Sequence, residues 1–116
     1  MKVVVPKQVL QYVTEDDSCP FEDWFIGLQD LMGKAIVAAR IEKMRQGLDT
    51  NEKNLGAGVL ESKVDHGPGY RIYFRRDGRD VVILLIGGTK HRQSRDIKNA
   101  KKYWEDYLRS KYVKTF

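Results

Sequence analysis

The sequence predicts an α+β fold, a small antiparallel sheet packed by helices in the order strand, helix, helix, strand, strand, strand, helix. Three observations carry this expectation. Residues 59–65 and 70–75 alternate apolar and polar side chains at period two, on either side of a glycine-rich turn, the pattern of a hairpin. Residues 81–86 are apolar on both faces, as in a central strand covered on both sides. Apolar residues in 21–48 and 97–108 recur at three- and four-residue intervals, the period of amphipathic helices.

The 116 residues, 41% of them hydrophobic, suffice for one core and no more, so residues 1–116 are expected to form a single domain. A single cysteine, Cys19, excludes an intramolecular disulfide, and among acidic neighbours it reads as chemically inert. The apolar start MKVVVPKQ is too short for a signal peptide and no later run has membrane-spanning length, so a cytoplasmic location is expected.

In chain order, Val9–Val13 reads as a first strand at or near a sheet edge. Ser18 or Cys19 caps a helix whose first turn holds Pro20, where the missing amide costs nothing. Phe21, Trp24, Phe25 and Leu28 form its core stripe. A break around residues 30–33 precedes a second helix with Val37, Ile41, Met44 and Leu48 on one face, ending near Gly47. Residues 49–58 form a polar loop. A hairpin centred on Gly67 then pairs Val64 with Tyr70, Ser62 with Ile72 and Leu60 with Phe74 toward the core. The same register sets Lys63 across from Arg71 on the other face, a like-charge pairing that an anion would relieve. Asp77-Gly78 turns the chain into the central strand. The last helix, from Gln93 or Ser94 to Arg109, turns Ile97, Ala100, Trp104 and Tyr107 or Leu108 inward, and residues 111–116 are a frayed tail. With the helices on the apolar side of the sheet, its other side is expected to stay partly open.

The net charge of +5 favours an anionic partner. Its distribution says more: residues 90–102 carry six Lys or Arg and His91 against one Asp. No cluster has metal-ligand spacing, no glycine loop has a phosphate-cradling signature, and no nucleophile, base and orienter series is visible, so neither metal nor cofactor is implied. What remains is Lys63, Arg71, Lys90, His91 and Arg92, brought to one rim of the sheet by the hairpin and the strand end. Such groups suit phosphodiester cleavage without metal, because cations stabilise the charge growing on phosphorus and lysine or histidine can move protons. Anion binding alone and a merely solvated basic rim are the other readings of the same residues.

The runs GPGYRIYF, VVILLIGGTK and QSRDIKNAKKYWEDY, with PFEDWF, ARIEKMRQG and GAGVLESKV before them, resemble the addiction-module killer proteins, a HigB-like branch of the RelE and ParE toxin superfamily. The resemblance spans nearly the whole chain. It implies a toxin of a type II toxin-antitoxin module, neutralised by a helix-turn-helix antitoxin protein, that inhibits translation as a ribosome-dependent mRNA endonuclease using the RNA 2′-hydroxyl. The ParE branch implies instead a DNA gyrase poison, and a non-catalytic RNA- or ribosome-binding module is a third reading. Carried over by residue, Arg71 matches an active-site arginine, Lys63 lies close to a strand lysine, and Lys90, His91 and Arg92 match the basic loop before the last helix. Arg75, Arg95 and Lys98 are expected to hold RNA around them. Asp65 stands where RelE has a second lysine, and Ile97 is the nearest residue to a RelE tyrosine.

Overall fold

The computed structural model describes residues 6–48 and 50–116. The apolar start at residues 3–5 and Asp49 lie outside the described residues. The elements run β1 (Gln8–Tyr12), α1 (Pro20–Ile26), α2 (Leu31–Arg45), β2 (Glu52–Asn54), β3 (Leu60–Val64), β4 (Tyr70–Asp77), β5 (Val81–Thr89), a 3₁₀ turn (Lys90–Arg92), α3 (Gln93–Ser110) and β6 (Val113–Thr115). The six strands form one sheet in the order β2-β3-β4-β5-β1-β6. It is antiparallel except where β1 runs parallel to β5. Two short strands therefore join the expected order. Residues 52–54, expected as loop, pair with β3 and form one edge. The tail expected to fray forms the other: β6 pairs with β1, and Phe116 packs edge-on against Phe21 and Phe25.

Helix boundaries follow local chemistry. Cys19 is the N-cap residue of α1, with Pro20 behind it, and burial pushes its thiol up from the ordinary value. Asp30 caps α2 by accepting from the Gly33 amide at 3.0 Å, so the break falls at 27–30, slightly earlier than the sequence suggests. Gly47, at φ +76°, ends α2 in the left-handed region, and Leu48 is turned to solvent rather than inward.

The β3–β4 hairpin has the expected register, with Val64, Ser62 and Leu60 opposite Tyr70, Ile72 and Phe74, and Lys63 opposite Arg71. One face of the sheet packs on α1 and α2 through Val9, Phe21, Val37, Ile41, Ile72, Phe74 and Leu84. The other face is not open: α3 covers it, packing Ala100, Trp104 and Tyr107 on Tyr73, Ile83 and Leu85. The physical reason is that β5 is apolar on both sides and its second face must be buried as well. Arg71 and Tyr73, expected on a half-solvated face, are consequently buried.

A bulge sets the geometry of the strand end. Tyr73 pairs with Ile86 but Phe74 pairs with Leu84, leaving Leu85 as the extra residue. Beyond it the alternation is shifted, so Gly87 lies under the Trp24 ring on one face and Gly88 under Asp96 on the other. At either glycine a Cβ would overlap the side chain above it. Among the described residues no helix is long and apolar enough to cross a membrane.

Candidate functional site

Lys63, Arg71 and Gly88 occupy one cross-strand row over β3, β4 and β5. At the usual spacing between neighbouring strands this row spans about 10 Å. The basic loop follows directly, because Thr89, opposite Tyr70, is the last residue of β5. One carbonyl joins the parts. Gly69 O accepts the Lys90 amide at 3.0 Å and Arg71 Nη1 at 2.7 Å, so the hairpin turn, the arginine and the basic loop are tied at a single atom. Gly69 can do this because, at φ +77°, it bends the turn back over β4, and a Cβ there would stand 2.8 Å from Arg71 Nη1.

Arg71 is 4% exposed, whereas Lys63, Lys90, His91 and Arg92 are exposed. Lys63 Nζ sits 3.5 Å from Asp65 Oδ1, so the departure from the toxin pattern at Asp65 places a carboxylate beside this lysine. The rim therefore has one buried cation surrounded by exposed ones.

Behind the rim lies a buried polar cluster that the sequence reading missed. Glu61 accepts from Gln93 Nε2 at 3.0 Å, which ties β3 to the first residue of α3. Arg71 Nε, the Tyr73 hydroxyl and Asp96 Oδ2 are buried without hydrogen-bond partners among the described residues. Burial and the nearby carboxylates of Glu61 and Asp96 push the Tyr73 hydroxyl well above its ordinary value, with Arg71 pulling the other way, so it remains protonated at neutral pH. Burial raises the Asp96 carboxyl, partly offset by Arg92 and Arg95. Two signals could have found the cluster. Asp96, Ala100 and Trp104 share helical spacing, which puts Asp96 on the inward stripe, and Glu61 and Tyr73 are cross-strand partners one step from Lys63 and Arg71.

The outer residues divide. Arg92 and Arg95 are exposed and flank both a shallow basic groove of about 430 Å³ at residues 90–95 and a second groove of about 380 Å³ that reaches Asp96. Lys98 is also exposed on α3. Arg75 belongs elsewhere: it lies about 13 Å from Arg71 along β4, its guanidinium stacks 4.4 Å from the Trp104 ring centre, and its Nη1 donates to the Ala57 carbonyl at 2.5 Å. It is positioned to brace the 55–59 loop against α3. Among the described residues no group of three or more His, Cys, Asp or Glu could hold a metal ion.

No protein-family model matches the chain. An uncharacterized protein of Haemophilus influenzae is 40% identical to it over 81 residues, 70% of this chain and 82% of that protein. The chain belongs to that protein's family. The relative's name assigns no activity.

Proposed function

We propose that the protein is the toxin of a type II toxin-antitoxin module and acts as a metal-independent, ribosome-dependent mRNA endonuclease that inhibits translation. The observation that carries this reading is the convergence of Arg71 and the Lys90 amide on the Gly69 carbonyl, which holds a buried guanidinium beside an exposed Lys, His and Arg loop. The toxin resemblance of GPGYRIYF and VVILLIGGTK supports it. In this reading the RNA 2′-hydroxyl attacks the adjacent phosphate, Lys63, in its neutral form and released from Asp65, takes its proton, and a protonated His91 or Lys90 gives one to the departing 5′-oxygen. Arg71 supplies fixed positive charge to the pentacoordinate phosphate, where a preorganised cation costs no rearrangement as charge develops. Arg92, Arg95 and Lys98 hold the RNA backbone. The partners are the ribosome and mRNA in the cytoplasm, and a helix-turn-helix antitoxin whose acidic or apolar segment covers the same rim.

The test is single-turnover cleavage in ribosome complexes saturated with toxin. Arg71→Lys, which keeps charge but not the planar fork, is expected to lose rate with occupancy unchanged. Full rate at saturation would reduce Arg71 to a structural residue. Mapping mRNA ends after brief induction separates this reading from a gyrase poison, which would leave no new ends.

A further inference from the structure

We propose that Glu61 and Gln93 are positioning residues: their hydrogen bond holds the basic loop at residues 90–92 across the Lys63–Arg71 row, so that the groups moving protons stay in register with the buried guanidinium. The reaction served rests on the nuclease reading above; the hold on the loop rests on the geometry.

On the α3 side of the sheet, cross-strand rows follow one another. Glu61, Tyr73 and Ile86 form the first, and Lys63, Arg71 and Gly88 the second. Gly69, whose carbonyl takes the Lys90 amide at 3.0 Å, begins the third. The basic loop is anchored at the outer two rows, because Gln93 Nε2 donates to Glu61 Oε2 at 3.0 Å in the first. Tyr73 and Gly69 are four residues apart along the chain, so the anchors stand about 13 Å apart with the Lys63–Arg71–Gly88 row midway between them.

Local structure alone fixes the loop poorly. It is one 3₁₀ turn, closed by the Gln93 amide on Lys90 O, and neither Thr89 before it nor Arg92 before α3 caps the backbone with its side chain. Such turns have weak hydrogen-bond geometry, and a helix start without a capping side chain is free to fray. The tie from β3 fixes where α3 begins. Glu61 is buried and Gln93 half-buried, so water competes poorly for their bond. A carboxyl oxygen beside the first residue of α3 also stands at the positive end of the helix dipole. Proton transfer needs hydrogen-bond contact, whereas attraction between the basic loop and RNA acts over about 8–10 Å. A loosened loop therefore loses rate and keeps affinity.

The experiment measures, on the full chain, single-turnover cleavage in saturated ribosome complexes, ribosome occupancy, and NMR order parameters of the 90–92 amides. Gln93→Ala should keep occupancy within about two-fold, slow cleavage about 10- to 100-fold, as a misplacement on the order of 1 Å can, and lower the loop's order parameters. Glu61→Gln keeps an acceptor for the Gln93 amide and should keep the rate. Glu61→Ala should fall to the level of Gln93→Ala, and the double variant should be no slower than either single, since all remove one bond. If Glu61→Ala does not fold, as its melt would show, Gln93→Ala with Glu61→Gln as its control carries the test. Parental rate in saturated Gln93→Ala, or weaker occupancy as its sole effect, would overturn the proposal and leave the nuclease reading intact. A parent chain that cuts no mRNA, with a looser loop in Gln93→Ala, would overturn the nuclease reading and keep the hold on the loop.

Discussion

Asp96 rests directly on Gly88: a Cβ at position 88 would overlap Asp96 Oδ2 and lie 2.8 Å from its Cγ. The first turn of α3 can approach the sheet only because β5 has no side chain there. Gly88→Ala should therefore destabilise the fold by about 1–3 kcal/mol, the usual cost of overpacking. The double variant Gly88→Ala with Asp96→Ala should recover most of that loss, since the two groups compete for one space. Strictly additive melts would show that the clash is relieved by movement elsewhere.

The second prediction concerns acid. Asp30 Oδ1 accepts the Gly33 amide at 3.0 Å, and its Oδ2 accepts the Tyr70 hydroxyl at 2.9 Å with His66 Nε2 at 3.4 Å, linking α2 to the β3–β4 hairpin. The Gly33 amide first, then the Tyr70 hydroxyl, hold its carboxyl below the usual carboxylate value. A depressed value in the folded state means the stabilisation is fully present above the unfolded value, about 4, and is lost as pH falls through the folded one. Asp30→Asn should lower the melting temperature at pH 7 and leave a shallower fall below pH 4. An acid limb as steep as in the parent would place the sensitivity in other carboxylates, such as Asp77 and Asp106, whose values hydrogen bonds from tyrosines also depress.

The third prediction ranks two neighbours on β4. Ile72, fully buried against α2, should cost about 2–5 kcal/mol when cut to Ala. From the sequence alone Arg71→Ala would be nearly neutral, because it relieves repulsion with Lys63. In the fold its guanidinium is buried and bonded to Gly69, so removing it should cost about 1–3 kcal/mol. Denaturant melts of the two variants decide the matter.

What could be read in the sequence was whatever period and turn chemistry dictate. The Gly67-centred hairpin and the inward stripe of α3 follow from alternation and helical spacing, and the structure has both. The cover over Arg71 and Tyr73 did not follow, because alternation says which side chains share a face but not whether a later helix lies on it. Nor could the Leu85 bulge be seen, since a run apolar on both faces has no phase to break. That bulge decides which glycine faces Trp24 and which faces Asp96, so the seat of α3 on Gly88 was hidden with it. The edges β2 and β6 were missed for another reason: Glu52, Lys53 and Lys114 are the charged residues that protect sheet edges, and they look like loop or tail.

The fourth prediction separates brace from binding residue. Arg75 stacks on Trp104 and bonds to Ala57, with Gly58 leaving the space its guanidinium fills. Arg75→Ala should lower stability by about 1–2 kcal/mol and leave RNA affinity and its salt dependence unchanged. A reduced salt slope without loss of stability would return Arg75 to the RNA surface.

The last prediction sorts the rim into groups that act on the phosphate and groups that hold the chain. His91 and Lys98 are both exposed and both near the start of α3, so neither burial nor distance ranks them. Their chemistry does. Histidine can give a proton near neutral pH, while a lysine on a helix surface offers only charge. His91→Asn should therefore slow single-turnover cleavage at saturation by about 10²- to 10⁴-fold, the range for losing a general acid, with occupancy unchanged. Lys98→Ala should do the opposite: full rate once bound, weaker binding at every sequence, and a salt slope smaller by about one. If His91→Asn cleaves at the parental rate when saturated, the acid is Lys90 or solvent, and the loop's role shrinks to electrostatic attraction. If Lys98→Ala loses rate at saturation instead, the reacting phosphate sits further along α3 than the Gly69 junction implies.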